Sequence, residues 1–293
     1  SGLRLVDVSS GGIRSARPSC GHAVLSLGAV RCPPKKEFPL SRIAVLSDIH
    51  GNLPALEAVA ADMARRGVDG VVNLGDHVSG PLWPLETVEY LMRQEWTQIA
   101  GNHDRLLAVQ PPERHGLSDR YAYRRLSESG RGWIRSLPSI ARLPDDIVAI
   151  HGSPSSDSTY LLETVEHGRV RLATRAEIAL RLGDTTSRVL ICGHTHVPRV
   201  VQMPGNMLIV NAGSVGLPAF DDELPEHHVV ETGSPHARYA VLELRDGCWT
   251  AAFVAVAYEY ERAAEQARNN GRPDWETALR TGFMRQEAGG SQT

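Results

Sequence analysis

Asp48-Ile49-His50 follows a short apolar run, Ile43 to Leu46, and sets an acid and an imidazole where both can point at one cation. The pair alone says little, since acids and histidines past a strand end also serve turns. Four later stretches repeat the arrangement. Val71 to Leu74 runs into Gly75-Asp76, and Gln98 to Ala100 into Gly101-Asn102-His103-Asp104. Ile147 to Ile150 delivers His151-Gly152, and Arg188 to Cys192 delivers Gly193-His194-Thr195-His196. Asp48, His50, Asp76, Asn102, His151, His194 and His196 thus offer two carboxylates, one amide oxygen and four imidazoles, with His103 in reserve. This mixture suits Mn, Fe, Ni or Zn better than Ca or Mg, and it lacks the thiolates of a structural zinc site.

Seven ligands exceed the needs of one ion. With one carboxylate bridging, they make two incomplete shells that leave positions for water and substrate. Two such cations can share and acidify a hydroxide, clamp phosphoryl oxygens and offset charge in an in-line transition state. A separate acid must then protonate the leaving oxygen. A histidine beside a carboxylate suits that task, and His103 followed by Asp104 fits it.

The elements that carry these residues alternate. Each apolar run reads as a strand buried on both faces, with its polar loop at the carboxyl end, where open α/β sheets keep their chemistry. Glycines before Asp76, Asn102 and His194 allow tight turns there. Helices are expected from Leu53 to Gly67, over 85–92, through much of 105–142, over about 170–182 and over 258–269. The repeated strand, loop and helix give parallel βαβ units. Met207 to Asn211 is a further strand, and 239–244 and 249–256 flank Asp246-Gly247 as an antiparallel hairpin. Residues 1–40, rich in Gly, Ser, Arg and Pro, read as a disordered arm, 41–270 as the folded domain and 271–293 as a tail.

Composition narrows the function classes. The chain of 293 residues has a net charge of −3, so no basic field argues for nucleic acid or an anionic membrane. No apolar run reaches the length of a membrane span. Ala23 to Val30 is interrupted by Ser26 and Gly28 and lacks a small-residue cleavage site after it, so it does not read as a signal sequence. Cys20, Cys32, Cys192 and Cys248 show no metal or redox spacing, which points to a reducing, cytoplasmic setting with Cys192 a buried thiol. Homo-oligomer formation is left open.

Taken in order, Asp48-x-His50, Gly75-Asp76, Gly101-Asn102-His103-Asp104, His151-Gly152 and Gly193-His194-x-His196 resemble the motifs of the calcineurin-like metallophosphoesterases. The resemblance covers residues 42 to about 245. Ser47 to Asn52, Gly80-Pro81, His151 to Pro154 and Asn211 to Gly216 make it most similar to the small prokaryotic phosphodiesterases. It implies a four-layer α/β/β/α sandwich of two mixed β-sheets. It also implies that Asp48, His50 and His196 hold one metal and Asn102, His151 and His194 the other. Asp76 would bridge them, and His103 would be the general acid, oriented by Asp104. The implied activity is phosphoester hydrolysis, most of all of a phosphodiester. Phosphomonoesterase or protein phosphatase activity is the nearest alternative, and a non-catalytic metal-holding interaction scaffold is the alternative from another class.

Other residues carry plainer expectations. His77 reads as solvent-facing, and His227 and His228 as solvated in an acidic insert, Leu217 to Pro235. The eight arginines of 105–142 read as a helix face in solvent, with Arg105, nearest the motif, the candidate for a phosphate contact. Tyr123 and Trp133 read as core. Residues 105–142 and 153–187 are expected to wall the site.

Overall fold

The chain was analysed as a computed structural model, which describes residues 41–285. The expected arm at 1–40, with Cys20 and Cys32, lies outside the described residues. β1 (Arg42–Leu46) shows why the apolar runs are continuous rather than alternating. Ile43 and Val45 face one core cluster and Ala44 and Leu46 another, so both faces of the strand are covered. α1 (Leu53–Arg66) begins where the Asn52 side chain accepts a hydrogen bond from the Ala55 amide. It ends at Gly67, whose φ of 63° gives the left-handed cap. β2 (Gly70–Asn73), α2 (Pro84–Met92) and β3 (Thr97–Gln98) follow. Next come three short helices, α3 (Asn102–Val109), α4 (Leu117–Arg125) and α5 (Glu128–Ser136).

The second half supplies β4 (Ile140–Leu143), β5 (Ile147–Ile150), β6 (Glu163–Glu166), β7 (Arg169–Leu172), α6 (Arg175–Leu182), β8 (Val189–Cys192), β9 (Arg199–Gln202) and β10 (Leu208–Asn211). After these come β11 (Ala219–Asp222), β12 (His228–Glu231), β13 (Ala237–Arg245), β14 (Cys248–Val256), α7 (Tyr260–Asn269) and α8 (Pro273–Thr281). One mixed sheet has the order β14-β13-β1-β2-β3 and a second the order β4-β5-β8-β10-β9. β1 pairs parallel with β2 and antiparallel with β13. The two sheets share a core. Ile43, Val72 and Leu242 from the first meet Ile147, Val189 and Val210 from the second, each side chain contributing about 1.5–3 kcal/mol on burial.

The α/β class with mixed sheets is as expected, but the elements differ in three places. A third sheet, β11-β12-β7-β6, was not anticipated. Part of it replaces the start of the helix expected at 170–182. Residues 163–172 are a hairpin turning at His167 (φ 53°) and Gly168 (φ 71°), and α6 starts only at Arg175 behind a Thr174–Glu177 capping box. Cross-strand pairing of Thr164 with Arg171 and of Val165 with Val170 favours the strand form. Finally, the folded body continues past the boundary drawn at 270. α8 packs on α7 and buries Trp275, Ala278 and Leu279 with Leu82 and Leu217.

Candidate active site

Three parallel strands of the first sheet and two of the second deliver the seven expected ligands from their carboxyl ends. β1 leads to Asp48 and His50, β2 to Asp76, β3 to Asn102, β5 to His151 and β8 to His194 and His196. Backbone hydrogen bonds lace the loops together: Asp48 N–H donates to Gly75 O (3.0 Å) and His50 N–H to Asp76 O (2.9 Å). Gly216 N–H, from beyond β10, donates to Asp48 O (3.0 Å). The turns are tight enough that five ligands take left-handed backbone: Asp48 (φ 56°), His50 (51°), Asp76 (55°), His194 (70°) and His196 (59°). Non-glycine residues adopt that region at a cost, and such strain concentrates at functional sites.

The side chains gather into two buried triads, Asp48-His50-His196 and Asp76-His151-His194. Within each, the candidate ligand atoms lie inside 4.8 Å of one another. Their tautomers follow from their outer partners. His50 Nδ1 donates to Ser79 O (2.7 Å), His196 Nδ1 to Leu217 O (2.8 Å) and His151 Nδ1 to Leu74 O (2.8 Å). Each Nε2 is thereby left with a lone pair turned inward, the arrangement that orients metal-binding histidines. His50 Nε2 and His196 Nε2 then face each other at 3.2 Å, and His151 Nε2 lies 3.0 Å from Asn102 Oδ1 and 3.3 Å from Asp76 Oδ2. Asp48 Oδ1 is 3.4 Å from His196 Nε2 and 3.8 Å from His151 Nε2, buried and without a hydrogen-bond partner. Acceptors converging on acceptors in a dry site repel unless a cation lies among them. The residues therefore fit metal ions.

Protonation preferences agree with this charge pattern. Burial and then the neighbouring His196 lower His50 to about 4, and burial and then His151 lower His194 to about 4, so both rings are neutral. Burial pushes the Asp48 carboxyl up, but His196 and His151 outweigh it and hold Asp48 at about 2. Asp76 likewise stays well below the carboxylate range, its burial outweighed by His151 and His103. His151 differs: burial pulls it down, yet Asp76 and Asp48 raise it to about 9, so without a cation its Nε2 takes a proton that a metal ion would displace.

His103 lies beside this set with a third of its side chain exposed. Burial would lower its pKa, but Asp76 and Asp119 outweigh it and raise it to about 10, so the ring keeps its proton. The carboxylate that orients it is not Asp104. His103 Nδ1 donates to Asp119 Oδ1 (2.8 Å), with Ser79 Oγ at 3.3 Å. Neighbouring positions on a helix do not face each other, so Asp104 points away from His103 on α3. Asp104 instead accepts from the Asp76, Gly101 and His77 amides (2.8, 2.9 and 3.2 Å) and from His77 Nδ1 (2.7 Å), tying the loops after β2 and β3 together. Asp119, on α4, was missed because nothing marks it among the arginines of 105–142.

Three further expectations change. His77 is fully buried on Asp104 and edge-on to Trp133 rather than facing solvent. His228 is also buried, with Nε2 3.0 Å from Tyr160 Oη, whereas His227 is exposed as expected. Arg105 is engaged as a fork by Asp157 through Nε and Nη2 (2.6 and 2.9 Å) rather than turned towards the ligand set. It lines a neighbouring cleft with residues 153–158. Residues 105–142 reach the main cleft through Ser118, and from 153–187 Tyr160 packs edge-on to the His194 ring (centroids 4.9 Å apart).

The fold and the buried carboxylate–imidazole clusters define a metal-dependent hydrolase. Residues 42–234 match the calcineurin-like phosphoesterase superfamily domain, and the chain belongs to that superfamily. It is a metallophosphoesterase, a hydrolase acting on phosphoester bonds. An uncharacterized protein of Methanocaldococcus jannaschii is 26% identical over 259 residues, covering 80% of this chain and 95% of that one. A crystal structure of a metallophosphoesterase from Sphaerobacter thermophilus superposes with a TM-score of 0.62 at 27% identity, covering 81% of this chain and 97% of that one. A hypothetical protein from Pyrococcus horikoshii shares the fold, with a TM-score of 0.63, 18% identity and coverage of 83% and 99%. Among the described residues, no helix is long and apolar enough to cross a membrane.

Proposed function

We propose that the protein hydrolyses phosphodiesters with two metal ions. Asp48, His50 and His196 would hold one and Asn102, His151 and His194 the other, with Asp76 available to both. The observation that carries this reading is the set of inward lone pairs, fixed by carbonyl partners on Nδ1 of three of the histidines. Bound cations supply Lewis acidity that lowers the pKa of water and offsets phosphoryl charge. The chain's own residues do the rest. Carbonyls at Leu74, Ser79 and Leu217 hold the imidazoles in register. His103, with Nδ1 engaged by Asp119, carries on Nε2 the proton required by a leaving alkoxide.

A diester is favoured over a monoester because, apart from the metal ions and His103, the cleft offers no free cation among the described residues to meet the second negative charge of a monoester. Arg272, the arginine that lines it, is already on Asp274. The test is reconstitution with Mn, Fe, Ni or Zn, followed by turnover of bis(p-nitrophenyl) phosphate against p-nitrophenyl phosphate. The diester should be the better substrate. Metal-loaded protein inactive on both, and unaffected by His103→Ala, would favour the scaffold reading.

A further inference from the structure

The cleft, about 260 Å³ in all, changes character beyond the candidate metal ligands. Phe220 packs against the His196 ring, with centroids 4.5 Å apart, while Trp275 of α8, buried against the His50 ring at 6.0 Å, already has the Arg272 guanidinium 5.5 Å from its centroid. Leu217 and Ala219 extend this apolar wall. Three carboxylates, Asp221, Asp222 and Asp274, line the same cleft with a single arginine, Arg272. That arginine is fully engaged: Nε and Nη2 donate to Asp274 (3.0 and 2.6 Å) and Nη1 to Ser118 Oγ (2.8 Å). Among the described residues, no Arg or Lys pairs with Asp221 or Asp222. Asp221 has only the exposed His227, at 3.7 Å.

A substrate seated by its phosphoryl group on the ligand set therefore meets the Phe220 ring and the carboxylates of Asp221 and Asp222 with the rest of its body. Aromatic faces beside carboxylates receive alkylammonium groups, and a second phosphate would be repelled. We propose that the substrate is a phosphodiester whose alcohol carries a positive charge, of the amino-alcohol or alkylammonium type. This rests on the hydrolase reading above and adds the charge of the alcohol to it.

Three p-nitrophenyl diesters of matched shape test it with the metal-loaded protein. They are the choline ester, its uncharged 3,3-dimethylbutyl isostere and a 3-carboxypropyl ester, with bis(p-nitrophenyl) phosphate as reference. The expected order of kcat/KM is cation above neutral above anion, by about five-fold per charge, the scale of one contact in water. Raising the salt to half-molar should compress the order, and so should the Asp221→Asn/Asp222→Asn pair. Asparagine keeps the acceptor that Asp222 Oδ1 offers to the Leu224 amide. A flat or inverted order, or one indifferent to salt and to the variant, overturns the proposal. So does turnover of the reference ester with none of the three others. Failure on the reference as well overturns the phosphodiesterase reading itself.

Discussion

His103 has one ring nitrogen committed to Asp119, and that contact fixes what losing the carboxylate would do. Asp119 helps hold the proton on His103, so Asp119→Asn lowers the pKa of the acid. The alkaline limb of the rate profile, where His103 loses its proton, should move to lower pH. Turnover of alkyl diesters should fall about 10²-fold, the low end for general acid catalysis, with little effect on nitrophenyl leaving groups. Equal losses on both esters, with no shift of the limb, would leave Asp119 a structural role only. Asp76→Asn acts differently, since Asp76 Oδ1 accepts the His103 amide (2.9 Å) while Oδ2 faces His151. It should lose metal and activity together, seen by metal analysis beside turnover. At this scale the candidate ligands were legible because each follows a strand. Asp119 was not: it stands 16 residues from its partner on a different helix, and tertiary packing alone joins them.

Among the elements, the loops after β2 and β3 set the tolerance of the site. A Cβ on Gly101 would lie 2.6 Å from the Asp76 backbone nitrogen and against its carboxyl group. Gly101→Ala should therefore push Asp76 out of place and cost about 1–3 kcal/mol. Thermal denaturation and metal titration check this, and unchanged metal affinity would show that the loop can yield. The strands of the first two sheets were readable because burial on both faces writes them as unbroken apolar runs. The β6–β7 hairpin was not. Its residues are mostly half-exposed, and Arg169 to Leu172 lead without a strong break into a real helix. α8 hid behind polar residues because few of its side chains face the core.

For the whole molecule, the buried imidazoles make stability depend on pH once metal is removed. His50 and His194 are depressed to about 4, so their contribution is present above the unfolded histidine value and lost as pH falls from about 6.5 towards 4. His103 and His151 are raised to about 10 and about 9, so theirs is complete below about 6.5 and lost as pH rises through those values. Chelated protein should thus melt at its highest temperature near pH 6.5. A monotonic trend from pH 4.5 to 9 would contradict the assigned shifts. The place of β13 has a temporal consequence. It lies between β1 and β14 in the first sheet, yet all seven candidate ligands precede it in the chain. During synthesis at about 5–20 residues per second, roughly 2–10 s separate His196 from Arg245. Through that interval the nascent chain carries every donor but cannot close the sheet that aligns them. A fragment ending at residue 236 should accordingly show no cooperative unfolding, although it contains the whole segment matched to the superfamily.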